Sequence, residues 1–144
     1  MKIDDCIAFA RANPVCHLAT VDGDQPRVRT VLLWFADYSG FYFILLSPKS
    51  VSAQLKTNPK AEVCFLNHPD DIAGARQLRV SGRMELVNDR ALQERATKDR
   101  AFLAELAGRP VDSLVEVFRL SHCDAHFWCM SDVLKEPALA HVQF

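Results

Sequence analysis

A chain of 144 residues is long enough for one domain of ordinary size, and it is expected to be organised as a single domain over residues 1–144. With 49% hydrophobic and 24% charged residues it is neither disordered nor fibrous. Folding should remove ~16,000 Å² from water, enough for a core without disulfides or metal. Seventeen Lys and Arg against eighteen Asp and Glu leave a net charge of −1, which argues against a protein that works by neutralising nucleic-acid phosphates.

The longest apolar runs, Val31 to Ala36 and Phe41 to Leu46, are far shorter than the ~20 residues of a membrane span, so no membrane segment is expected. Asp4 and Asp5 stand where a secretory signal would place its apolar stretch. Cys6, Cys16, Cys64, Cys123 and Cys129 are odd in number and scattered, as reduced and mostly buried thiols of a cytoplasmic protein would be.

In chain order, Ile3, Cys6, Ile7 and Ala10 recur at helical spacing over residues 3 to 12, and Pro14 forces the helix to stop at Asn13. Runs rich in β-formers follow: Val15 to Val21, Arg27 to Phe35, Phe41 to Leu46, Ala61 to Asn67, Gln77 to Val87, and Val115 to Leu120 leading into Ala125 to Cys129. Asp22-Gly23-Asp24 and Asp37-Tyr38-Ser39-Gly40 read as hairpin loops. Ser47-Pro48 reads as an N-cap and first helical residue of a helix ending near Asn58-Pro59. A second helix is expected from about Asn88 to Leu106, with Leu92, Ala96, Leu103 and Leu106 as its apolar stripe. Its solvated face carries the pairs Glu94 to Lys98 and Arg95 to Asp99. About six hairpin-connected strands hide their edges best by closing, so the fold class is α+β, a six-stranded antiparallel barrel with helices outside.

The most informative constellation is cationic. Arg27 and Arg29, two apart on a strand, leave the same face. Lys49 lies in the first turn of the helix opened by Ser47-Pro48, where its charge opposes the helix dipole and an anion would be welcome. Spacing alone leaves open a surface lysine and two solvated arginines. The apolar neighbours Trp34, Phe35, Phe41, Tyr42 and Phe43 would suit a flat aromatic ligand, although barrel core accounts for most of them. His122, Cys123, His126 and Cys129 alternate between strand faces and do not converge, so no metal site is expected. Cys16 and His17 diverge for the same reason, with His17 partly buried on its strand, and Asp70-Asp71 opens a polar loop. No G-x-S-x-G, G-x-G-x-x-G or G-x-x-x-x-G-K motif is present, and no general base or nucleophile stands out, so catalytic residues are not assigned.

Arg29-Thr30-Val31-Leu32-Leu33, Phe41-Tyr42, Ser47-x-Lys49, Asn58-Pro59, Arg76-Gln77-Leu78, Val80-x-Gly82, Phe118-Arg119-Leu120-Ser121 and Phe127-Trp128, in this order over nearly the whole chain, resemble the pyridoxamine 5′-phosphate oxidase-like, FMN-binding split-barrel family. The resemblance implies a split barrel of Greek-key type and a homodimer with two FMN molecules in clefts at the subunit interface. It implies that Arg29 contacts the FMN phosphate, that Thr30, Val31 and Leu32 run along the flavin ring, and that Tyr42 and Phe43 form the next contacting pair. Ser47 with Lys49 would form the second phosphate-binding segment, Gln77 would hydrogen-bond the flavin, and Trp128 would come from the partner subunit.

Two departures matter. Trp34 stands where the family's oxidases place a lysine, and Pro48 where they place an arginine; Arg27 is the candidate for partial replacement. The Arg- and His-rich motif that follows Phe-Trp in true oxidases gives way to Cys129-Met130-Ser131-Asp132, which speaks against pyridoxamine phosphate as substrate. The function this implies is an FMN-dependent oxidoreductase acting on a small molecule, with NADH or NADPH as a possible donor. The alternative is a non-catalytic flavin, haem or deazaflavin binder acting as a carrier or stress-response sensor.

Overall fold

The computed structural model describes residues 1–144. Helix α1 (Ile3–Ala12) buries Cys6, Ile7 and Ala10. Asn13 leaves the helical region ahead of Pro14, its N–H donating to the Phe9 and Ala10 carbonyls. Strands β1 (Val15–Asp22), β2 (Gln25–Asp37) and β3 (Gly40–Leu46) follow as two hairpins, each with a two-residue loop between paired ends, Asp22 opposite Gln25 and Asp37 opposite Gly40. Gly40 is required: its φ is +137°, and a Cβ there would sit 2.1 Å from the Leu120 carbonyl oxygen.

Next come α2 (Ser50–Thr57), β4 (Lys60–Leu66) and β5 (Arg76–Leu86). After them run α3 (Arg90–Asp99), α4 (Phe102–Ala107), β6 (Val115–Cys129) and β7 (His141–Gln143). The strand order is β3-β2-β1-β4-β5-β6-β7, and the β3–β6 pairing closes the first six into an antiparallel barrel. In this order β4 returns beside β1 after the β1-β2-β3 meander, which is the Greek key. The fold is thus an α+β split barrel with one extra strand and four flanking helices.

Period-two alternation fills the interior. Leu18, Phe41, Phe43, Phe65, Leu78 and Phe118 are fully buried, joined by Val51 and Leu55 of α2, which caps one end. A second cluster packs α3 outside the barrel, where Ala96 meets Tyr42, Val111, Val115 and Val117.

Four local expectations are corrected. The helix expected from Ser47-Pro48 begins at Ser50 with Lys49 as N-cap, because the Ser47 N–H still donates to the Leu114 carbonyl and Ser47-Pro48 form a turn closed by the bond from Lys49 N–H to the Leu46 carbonyl. The single helix from Asn88 to Leu106 is two, broken at Arg100-Ala101, and Leu106 is exposed. In α3, Glu94 pairs with Arg90 rather than Lys98, while the Arg95–Asp99 pair forms at 3.7 Å. The two strands expected at 115–120 and 125–129 are one, carried through His122 (φ 52°) opposite a bulge between Ser81 and Arg83.

Candidate functional site

Strand β2 changes partners along its length. Gln25–Leu32 pairs with β1, but β3 joins β2 only from Leu33 to Asp37. Beyond that point Ile44–Leu46 pairs with β6 alone. The two strands splay apart and open a cleft of about 420 Å³. Its walls are Thr30, Val31 and Leu32 on one side and Ile44 and Leu45 on the other. Lys49 stands at its rim, and the α3–α4 bend closes it with Arg100, Phe102 and Leu103.

The cleft is apolar in its walls and cationic at its rim. Lys49 is exposed at the α2 N-cap, and the first turn of α2 carries no acidic side chain. Arg100 donates from Nη2 to the Leu33 carbonyl at 3.4 Å. Neither side chain takes part in any of the seven ion pairs of the chain. Two cations without carboxylate partners, beside the first turn of a helix, favour an anionic group between them.

Arg29 anchors the same helix from the barrel side. Its Nη1 donates to Thr20 Oγ1 at 2.6 Å and to the Leu18 carbonyl at 3.3 Å, and its Nη2 to Gln54 Oε1 of α2 at 2.6 Å. Burial, and then the charge of Arg27, lower its pKa, and no carboxylate compensates it. Arg29 and Lys49 are therefore brought to one helix rather than to opposite sides of the molecule. Arg27 shares the face of Arg29 but is bound to Asp22 at 3.2 Å in an exposed pair outside the cleft.

The remaining sequence candidates are distributed differently. Phe43 is fully buried, its backbone paired with both β2 and β6. Tyr42 stacks on Phe35, ring centroids 4.2 Å apart, and its hydroxyl shares a 2.7 Å hydrogen bond with Ser39 Oγ. Neither lines the cleft. Ser47 borders a separate hollow beside Asn88, Arg90 and Gln93. Gln77 and Trp128 pair across β5 and β6 and line another cavity of about 530 Å³ with Leu66, His68 and Met130. Gln77 Oε1 accepts from Arg79 Nε at 3.1 Å.

Trp34 serves packing. Its Nε1 donates to Asp99 Oδ2 at 2.9 Å, and the Arg95 guanidinium lies 4.8 Å from its ring centroid, so it docks the end of α3 on β2. That docking sets the break at Arg100-Ala101 over the cleft. Arg100 is the functional candidate that the sequence reading missed, since a continuous helix made it one more solvated charge. The weak signal was Trp34 itself, an aromatic where the family's oxidases place a lysine.

Among rival sites, His17 is exposed rather than partly buried, with its neighbour Cys16 inside the barrel. Burial pushes the thiols of Cys6 up to about 11 and of Cys16 and Cys123 up to about 12. They are protonated at neutral pH and poor nucleophiles. Asp71 caps the short turn Ile72–Gly74 through Ala73 N–H. No helix is long and apolar enough to cross a membrane.

A search of the curated proteins finds no match to this sequence. Among solved structures, a NimC/NimA family protein from Clostridium acetobutylicum superposes with a TM-score of 0.75 at 20% identity, over 98% of this chain and 91% of that one. General Stress Protein 26 from Bacillus anthracis str. Sterne gives 0.72 at 14% identity, over 100% of both chains. A FAD-binding protein from Mesorhizobium loti gives 0.66 at 18%, over 87% and 94%. These similarities establish the fold. The family model described as pyridoxamine 5′-phosphate oxidase matches residues 4–129. With that match over most of its length, the chain belongs to the pyridoxamine 5′-phosphate oxidase-like family, whose fold is a flavin-binding split barrel.

Proposed function

We propose that the chain is a homodimeric FMN-dependent oxidoreductase whose cofactor occupies the cleft where β2 and β3 part. The observation that carries this reading is the pairing of two uncompensated cations, Lys49 and Arg100, with an apolar slot walled by Leu32, Ile44 and Leu103. The donor set fits the group: a phosphate takes charge-assisted bonds from cations and from the first turn of α2, and a ring takes apolar walls. The cleft volume of about 420 Å³ lies within the range of small-molecule sites.

Lys49 and Arg100 would hold the phosphate. Arg29, locked between Thr20 and Gln54, would add its charge and fix α2 against the barrel. The free edge of Thr30–Leu32 would offer backbone groups to the ring. When bound, the flavin supplies hydride or electron transfer, which is why no side chain of the cleft needs to be a nucleophile.

Gln77 and Trp128 belong to this reading only through a second subunit. Leu32, Val15, Leu66, Gln77 and Trp128 fall on one row of the sheet. Along the sheet that places Gln77 three strands and Trp128 four strands from Leu32, and the cavity they line shares no residue with the cleft. A two-fold dimer across this outer face would bring them to the partner's cleft and would cover Val15, Val28 and Leu32, which are exposed apolar residues.

The test is the absorption spectrum of the purified protein, before and after NADH or NADPH. A yellow dimer bleached by nicotinamide and reoxidised by an acceptor supports the reading. A yellow protein that no nicotinamide reduces would be a non-catalytic carrier. A colourless protein with no thermal shift from added FMN overturns both.

A further inference from the structure

β7 is only three residues long, yet it is firmly placed. Val142 packs on the core and Phe144 stacks toward Phe41, ring centroids 5.9 Å apart. Phe144 N–H donates to the Cys123 carbonyl at 3.1 Å, and Cys123 N–H to the Phe144 carbonyl at 2.7 Å. With Val142 and Phe144 directed inward, alternation sends His141 and Gln143 to the outer face. The register sets His141 opposite His126 and Gln143 opposite Asp124. Two imidazoles and a carboxylate therefore meet on one surface.

We propose that Asp124, His126 and His141 form a binding site for a divalent transition-metal ion of the Zn²⁺ class. One ligand atom from each lies within 4.8 Å of the others, close enough for small side-chain adjustments to bring all three onto one ion. The imidazole rings are 4.5 Å apart, and His141 Nδ1 contacts Asp124 Oδ1. Gln143 Nε2 donates to Asp124 Oδ2 at 3.1 Å and orients the carboxylate, the outer support that metal ligands ordinarily have. Arg79, opposite His126 on β5, has its charge balanced by Glu136.

Two nitrogens and one oxygen select a borderline ion over Ca²⁺ or Mg²⁺, which prefer all-oxygen sets. In the single chain Asp124 and His141 are accessible, with side-chain exposures of 35% and 44%, so an ion can enter and keep water in its open positions. The site lies outside the cleft and does not depend on what the cleft binds.

The experiment is calorimetric titration of the full, untagged chain with Zn²⁺, alongside His141→Gln, His126→Gln and Asp124→Asn, each checked for native circular dichroism. The expected result is one equivalent per chain and a loss of at least about tenfold in affinity for each variant. Co²⁺ substitution should give visible d–d bands without near-ultraviolet thiolate absorption. No binding, binding that all three variants retain, or a cobalt spectrum with thiolate character would each overturn the proposal.

Discussion

Strand β2 is two structures in one. From Leu33 to Asp37 it pairs with β3 alone, and its residues there build core and the aromatic platform of α3. Its other edge is covered by Arg11, which donates to the Ala36 carbonyl, and by Pro14, whose carbonyl accepts from Leu33 N–H. From Gln25 to Leu32 it pairs with β1 only, and its other edge faces the cleft. A closed sheet satisfies its backbone internally and gains stability from packing. An edge left open inside a fold must be covered by something else. On the proposed reading the same strand supplies rigidity at one end and recognition at the other, and substitutions beside the two halves should separate cleanly.

The largest effect is expected from the closed half. On β3, opposite Leu33 of that half, Phe43→Ala empties a fully buried position and should cost about 3–5 kcal/mol in urea unfolding, with flavin affinity of the surviving folded fraction little changed. The open half should behave in the reverse sense. Lys49→Glu should weaken FMN binding by about 1.5–3 kcal/mol, read by fluorescence titration. The same change replaces an unfavourable charge at a helix N-terminus by a favourable one, so the apoprotein should gain roughly 0.3–1 kcal/mol. A variant that binds worse and folds better would mark Lys49 as kept for a ligand. Arg100→Gln should weaken FMN binding in the same direction while Arg27→Gln leaves it unchanged, because Arg27 is spent on Asp22 outside the cleft.

A separate effect concerns pH and the closed barrel. Cys6, Cys16 and Cys123 are raised from 9.0 to about 11, 12 and 12 by burial. The folded chain then holds more protons than the unfolded one between pH 9 and about 12, so their contribution to stability is complete below pH 9 and is lost as pH rises through that window. Unfolding free energy measured across this range should fall, and the fall should be shallower for Cys16→Ala. At neutral pH these three thiols should resist alkylation until the chain unfolds.

Much of the barrel is legible in the residues. Pro14 ends α1, and runs rich in β-formers mark β1 to β5. Gly40 closes a hairpin where no Cβ fits beside Leu120. The resemblance named Thr30 to Leu32 and Lys49, and the structure sets these around one cleft. What was not legible depends on tertiary partners. Ser47-Pro48 has the composition of a helix start, but with Ser47 N–H bonded to the Leu114 carbonyl the pair forms a turn ahead of the helix. Arg100 becomes a cleft residue only because Trp34 and Asp99 dock α3. His141-Val142-Gln143 is too short to read as a strand until β6 lies beside it, and with it went the convergence of His126 and His141.

The most direct measurement compares FMN with riboflavin, which shares the ring and lacks the phosphate, on the wild-type protein and on Lys49→Glu. If the cationic rim of the split captures a phosphate, the wild type should prefer FMN by at least about tenfold, a difference near 1.4 kcal/mol, and the variant should lose most of that preference. Equal affinity for the two flavins in the wild type, or a preference untouched by Lys49→Glu, would contradict the account.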